Sequence, residues 1–350
     1  MQDLTFYLYI FFILLTTFIV IKTRSDNLII QILIIIIFVA ITGFRDLEVP
    51  DTTEYYDIFQ SYNEDILDDQ FIGQEIGFIA FGKIIKNLFN NYVIYFSFIA
   101  LLNILLIRGA LSNLEINKCL GMIAYISFYG LAVNFIFLRV GLAMSFFIYF
   151  FSLYQKGKGF LGSPFLLIAP FFHKSIIVSI LSLPLTRVNL NRLSYLCIIF
   201  LSILFYFSGF SKFIIYKLFS FISLIPFASK YVWYVDNIKL TGGFSIRHIF
   251  NMLILFFVVY RTIELDKLKP ILNICLLGLV LTSLLSAFLW VDRIADALVI
   301  FNIFILSSFV LERNTLLNTQ INQLLFYLFL TCNMLFVSRI MTLFLFQFIV

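Results

Sequence analysis

Residues 27–42 read NLIIQILIIIIFVAIT, and residues 298–311 read LVIFNIFILSSFVL. Neither run holds a charged side chain, and neither alternates apolar with polar residues. A strand of a membrane barrel alternates at every second position. Apolar runs this continuous predict helices with an apolar solvent around them.

The rest of the chain has the same character. Of 350 residues, 62% are hydrophobic and only 12% are charged, and the mean hydropathy is +1.04. Soluble chains carry about 25% charged residues, so a water-soluble fold of this length has too little polar surface to cover its apolar content. In lipid, every backbone polar group needs an internal partner, which leaves helices or closed barrels. The expectation is an all-α, polytopic integral membrane bundle of about 11–12 transmembrane helices, with interfacial helices in two outer loops and a lipid bilayer as its surroundings. Residues 1–350 read as a single transmembrane domain, without internal repeat, soluble domain or nucleic-acid signature. The net charge of +5 matters less than where the charges lie. Cys119, Cys197, Cys275 and Cys332 stand singly in or beside apolar runs and read as small helix-packing residues rather than metal ligands.

Spans are expected near 4–21, 28–43, 92–108, 118–135, 139–155, 161–173, 174–186, 193–210, 247–261, 270–289, 294–311 and 320–338. The pair meeting at His173 is short and reads equally as one broken helix. The first run follows Met-Gln-Asp, lacks a basic start and a cleavage site, and is followed by Lys22 and Arg24. It reads as a retained helix that starts outside. One set of short loops then falls inside, and it carries Lys22/Arg24, Arg108/Lys118, Lys156/Lys158, Arg187/Arg192, Arg261/Lys267/Lys269 and Arg313. All are basic, as the positive-inside rule requires.

Two outer loops are long. The first, residues 44–91, opens with a stretch to Glu75 that holds ten acidic residues and one arginine, Arg45. It continues into residues 76–89, which carry Lys83 and Lys86 and read as an interfacial amphipathic helix. The second, residues 211–246, carries lysines, Asp236 and many aromatic residues, including Trp233 and Tyr234. It fits an aromatic belt at headgroup level or a platform for sugars or lipid headgroups.

The charges outside the inner loops are the informative ones, because an ionisable group at mid-bilayer costs about 2.5–3.5 kcal/mol on the insertion scale. Arg45 lies in Gly-Phe-Arg after the second span; it is either a snorkelling anchor or a ligand-binding group. Asp51 follows Pro50 and precedes Glu54 by three residues, the spacing of a capping box; it is either that cap or a functional carboxylate. Tyr55 lies one turn beyond it. Arg139 sits in Phe-Leu-Arg-Val-Gly between two apolar runs with almost no loop. His173, in Pro-Phe-Phe-His-Lys-Ser, is one of two histidines. Arg247 and His248 open a late span, as do Asp292 and Arg293, which read either as a self-paired couple or as part of a site. Arg45, Arg139, Arg247 and Arg293 fall on one side of the bundle. Guanidinium is always charged and forked for bidentate contact with phosphate oxygens. A polyprenyl-diphosphate-linked glycan is a reason to collect such groups at the outer leaflet.

These residues resemble, in order along most of the chain, the EpsG-type branch of the Wzy-like oligosaccharide repeat-unit polymerases. The resemblance rests on Gly-Phe-Arg…Asp-Thr-Thr-Glu-Tyr…Phe at 43–59 and Leu-Arg-Val-Gly-Leu-Ala at 138–143. It continues through Lys156-Gly-Lys158, Phe172-His173 with Ser175, and Asp-Arg-Ile at 292–294. Val140 departs from the pattern, which has glutamine there. The resemblance implies a glycosyltransferase of the bacterial inner membrane, multi-pass, acting on undecaprenyl-diphosphate-linked oligosaccharide, with a polysaccharide chain-length regulator as a partner. It implies catalytic roles for Arg139, His173, Arg45 and Asp51, and substrate binding by Tyr55, Arg247, His248 and Arg293. Arginines would stand where other enzymes use a divalent metal, so neither metal nor cofactor is expected. A ligase-like transferase and a flippase for the same lipid-linked sugars are the competing readings. A flippase commonly carries internal repeats and charges through both leaflets.

Overall fold

The structure is a computed structural model, and it describes residues 2–45, 47, 51–62, 75–222, 246–261, 265–287, 291–311, 320–328 and 330–331. Trp233, Tyr234, Asp68, Asp69, Pro50, Arg313, Cys332 and the end of the last expected span lie outside these residues, as does the side chain of Asp292. The described residues form helices and no strands, so the all-α reading holds. They divide into two compact units, residues 1–177 with 303–350, and residues 178–302, where the sequence shows no boundary.

The first unit contains α1 (Gln2–Thr23), α2 (Leu28–Gly43), α3 (Thr52–Ser61), α4 (Ile76–Phe89), α5 (Tyr92–Asn113), α6 (Lys118–Tyr125), α7 (Leu131–Phe135), α8 (Leu138–Gln155) and α9 (Gly159–Phe172). At its centre is α8, whose Phe147, Ile148 and Phe151 are fully buried and which packs between α5 and α9. An α-helix that is apolar on every face belongs in the middle of a bundle rather than at its rim. On α5 pack α2 and α4, while α3 lies on α4. By length and composition, α5 and α8 are long and apolar enough to cross a membrane. Shorter apolar helices include α2, α9 and residues 10–23 of α1. The expected span 118–135 is not one α-helix: α6 and α7 are separated by a π-turn at Ile126–Gly130.

The second unit is built on α14 (Leu265–Leu284), against which α11 (Arg192–Ser208), α12 (Phe210–Ile222), α13 (Ile246–Arg261) and α15 (Val291–Val299) pack. Buried Asn273 ties it together, accepting from the Tyr195 hydroxyl and donating to the carbonyls of Leu185 and Val188 at 2.8 Å each. Between α11 and residues 210–217 the chain bends by 84°; taken together they pass as one broken span. Cys119 and Cys275 are buried as expected of packing residues, whereas Cys197 is exposed. The remaining helices are α10 (Ile176–Leu181), followed by a 3-10 turn at Leu183–Arg187, and α16 (Phe301–Phe309). His173 stands in the break between α9 and α10 with extended backbone (φ −161°, ψ 127°), which favours the broken-helix reading of that region.

Within the first unit the two ends are chemically different. At the expected inner end, Asp26 pairs with Lys118 and accepts from the backbone N–H of Lys118 and Cys119 at 2.9 and 3.2 Å. Arg108 Nε donates to Gln31 at 2.7 Å beside it. At the other ends of these helices lie Arg45 and Arg139.

What brings the outer ends of α4, α8 and α9 together is aromatic packing around Phe172, whose ring meets Phe81 of α4 at 6.3 Å and Phe146 of α8 at 5.2 Å. A glycine makes the approach close enough. A Cβ on Gly77 would stand 2.8 Å from both Cβ and the carbonyl oxygen of Phe171, so α4 reaches the end of α9 only without a side chain there. Gly77→Val should therefore destabilise the folded unit by about 1–3 kcal/mol, the usual cost of overpacking. A lowered melting temperature of the purified protein, relative to Ile84→Val on the exposed side of α4, is the measurement.

Candidate active site

Glu75 is the last residue before α4, and its carboxylate is 7% exposed. A buried carboxylate must be paired or neutralised, and here each oxygen has a cationic or protonatable partner. Oε2 accepts from Arg139 Nη1 at 2.8 Å, and Oε1 lies 2.8 Å from His173 Nδ1. The backbone sets these charges up. Glu75 stands at the N-terminus of α4, where the helix field favours an anion, and His173 at the C-terminus of α9, where it favours a cation. Arg139 occupies the first turn of α8, an unfavourable end for a cation, and the carboxylate compensates it.

Burial alone would raise the proton affinity of Glu75. The hydrogen bond from His173 and the charge and hydrogen bond of Arg139 outweigh it, and its pKa lies below the ordinary 4.5. Tyr55, buried on α3, accepts a hydrogen bond from Arg139. Its burial pushes the phenol pKa up against the opposing field of Arg139, so it stays neutral and keeps a hydroxyl hydrogen to donate. Arg139 and His173 keep 20% and 18% of their side chains exposed. The arrangement is a shielded carboxylate with two basic groups open to a ligand.

Arg45 and Asp51 stand around this centre. Arg45 is buried with its guanidinium 3.6 Å above the Phe96 ring, and Nη1 donates to the carbonyls of Asn134 and Phe135. Those are the closing residues of α7, whose carbonyls have no intrahelical donor. Among the described residues its Nε and Nη2 have no hydrogen-bond partner, and its charge reaches Tyr55 and Tyr95. Arg45 is thus held by packing and is not a snorkelling anchor. Asp51 is exposed and precedes α3, but the capping-box bond expected from its spacing is not formed. Its backbone is left-handed (φ 61°) and its side chain makes no cap hydrogen bond. Its charge acts on Tyr55 one turn away.

Five of the residues singled out in the sequence, Arg45, Asp51, Tyr55, Arg139 and His173, therefore gather in the first unit. The other three belong to the second. Arg247 Nη2 is bound to Asp296 at 3.0 Å, and His248 Nε2 lies 3.0 Å from the Ser283 hydroxyl with its ring 4.7 Å from Tyr206. Arg293 is half-buried on α15. Asp296 is the acid that pairs with Arg247; the expected Asp292–Arg293 pair involves a side chain outside those described. Among the described residues, no group of three or more His, Cys, Asp or Glu side chains is placed to hold a metal ion.

This geometry has two measurable outcomes. Because the folded pKa of Glu75 is depressed, its contribution to stability is present above the ordinary carboxylate value and is lost as pH falls through the folded one. The melting temperature of the purified protein should hold between pH 6 and 8 and fall below about pH 4.5, and Glu75→Gln should flatten that acid limb. Asp51→Gly should raise stability by a few tenths to about 1 kcal/mol by removing left-handed strain, seen as a higher melting temperature.

No curated protein and no solved structure matches the chain. A family model does, over residues 27–349, which takes in both units and every residue of the site. The chain belongs to the EpsG family and is a membrane protein of polysaccharide biosynthesis.

Proposed function

We propose that the chain is a glycosyltransferase that polymerises undecaprenyl-diphosphate-linked oligosaccharide repeat units at the outer face of the bacterial inner membrane. The observation that carries this reading is one buried carboxylate, Glu75, that holds Arg139 and His173 together with Tyr55 beside Arg139, at helix ends that the positive-inside reading of the basic loops assigns to the outer face. In the reaction, the growing glycan leaves its lipid diphosphate and joins a sugar hydroxyl of the next lipid-linked unit. Negative charge builds on the departing diphosphate. Arg139, part-exposed and with donors beyond the one on Glu75, is placed to stabilise it. Preorganised charge in a water-poor site is usually the largest catalytic contribution. His173 is placed to accept the proton of the attacking hydroxyl, a role typically worth about 10²–10⁴-fold. Exposed Asp51 is the second candidate base, and the Tyr55 hydroxyl is a donor for a phosphate or sugar oxygen.

Arg45 supports the diphosphate through its field, since it is buried with its guanidinium against Phe96 and its Nη1 on the α7 carbonyls. Arg247, His248 and Arg293 are proposed to bind substrate; within their own unit, Arg247 and His248 also have the packing partners Asp296 and Ser283. The chemistry as proposed uses side chains alone, and a chain-length regulator is the expected protein partner.

In cells that depend on this chain for polymerisation, Arg139→Ala and His173→Ala should each abolish long glycan chains, a loss of at least about 10²-fold, with protein level unchanged. Full-length polymer from both variants would remove the site assignment. Reconstituted wild-type protein should lengthen lipid-linked repeats in the presence of a chelator and without an ion gradient. Strict dependence on magnesium would point to a metal-using transferase, and transport without elongation to a flippase.

A further inference from the structure

Glu75 has no part in the motifs that mark the family, yet it touches both groups that the proposed reaction uses. Its pKa lies below the ordinary carboxylate value, so at neutral pH it is an ionised, acceptor-only group. The 2.8 Å contact with His173 Nδ1 then requires the hydrogen to reside on Nδ1. A neutral imidazole carries one such hydrogen, so Nε2 holds the lone pair. The side chain of His173 is 18% exposed while Glu75 is 7% exposed, so the shielded edge of the pair is the carboxylate and the ring is the accessible part. Among the described residues, the other charged or titratable groups around the pair include Arg139 on α8, Tyr55 on α3 with Asp51 one turn before it, Tyr62, which the charge of Arg139 reaches, and Lys174 next in the chain.

Resting on the proposed transferase activity, we infer that Glu75 is a positioning residue that locks His173 in the Nδ1–H form, so that Nε2 is the base for the acceptor hydroxyl. In the step itself, the acceptor oxygen forms its bond to the anomeric carbon as the bond from that carbon to the diphosphate oxygen breaks. The electron pair of the broken bond leaves with the lipid diphosphate. The hydroxyl proton goes to Nε2 of His173, and the imidazolium so formed lies against the Glu75 carboxylate. The same carboxylate fixes Arg139 by its other oxygen, so a single side chain sets the spacing between the proton acceptor and the cation facing the leaving group.

Only two histidines are present in the chain, which makes the assignment directly measurable. Nitrogen-15 spectra of histidine-labelled protein in lipid nanodiscs, with His248→Asn used to assign the two signals, should show His173 as the Nδ1–H tautomer at neutral pH. A His173 found as the Nε2–H tautomer in the wild type, which needs no variant to fold, overturns the inference. With lipid-linked repeat units extracted from cells lacking the polymerase as the probe, Glu75→Gln should lose about 10²-fold in kcat with a much smaller change in KM. Glu75→Asp should recover part of the rate; wild-type turnover by Glu75→Gln overturns the inference. If the wild-type protein lengthens no repeat, the transferase reading falls, and the tautomer measurement still decides whether Glu75 sets the state of His173.

Discussion

A carboxylate taken out of water is the constraint from which the first unit is organised. Glu75 cannot lie at the joint of three helices without a partner on each of its oxygens, and the two groups that supply it, a cation and a hydrogen-bonding imidazole, come from α8 and from the end of α9. Removing one partner of a buried pair leaves the other exposed to the full cost of desolvation, about 3–5 kcal/mol where the pair is well buried. The outer ends of α4, α8 and α9 are therefore bound by charge as well as by the rings around Phe172. The polar site and the apolar packing hold each other in register. Gly77 permits both by letting α4 approach the backbone of Phe171.

The legible part of this site was the part that broke the pattern of the chain. Arg139 and His173 stand out because charges are scarce and a short turn between apolar helices has no need of them. Glu75 was illegible for the opposite reason: it is one of ten acids in a polar stretch, and little in its own sequence sets it apart from acids such as Asp51, Glu54 and Asp57, which are exposed. The sole local hint was its position directly before an amphipathic helix. Asp51 misled, because capping-box spacing describes a helix entered from extended backbone, and this one is entered from a left-handed residue. Arg45 was legible as an unusual charge but not as a group held by an aromatic face and two helix-end carbonyls, since neither partner is near it in sequence. The same holds for the Arg247–Asp296 pair, whose members lie 49 positions apart.

At the level of the fold, apolar runs sufficed for the helices. Helix length and continuity were less visible. Residues 161–186 are interrupted at His173, where Pro170 has already removed one backbone donor from the last turn. No comparable sign marks residues 126–130. The division into two units is likewise silent in composition, since both are equally apolar.

That unmarked π-turn has a bearing beyond this chain. It carries one residue more than the α-turn it replaces, and each residue turns the remainder of the helix by about 100°. The extra residue aims Asn134 so that it accepts from Asn103 at 2.7 Å and donates to Gly130 at 2.8 Å, while its carbonyl receives Arg45. A relative with an unbroken helix here would be one position shorter. Aligning it without a gap inside 126–130 would match Asn134 to a residue on the wrong helical face and shift Arg139 by one place. Where the gap falls thus determines whether a shared arginine is recognised as shared.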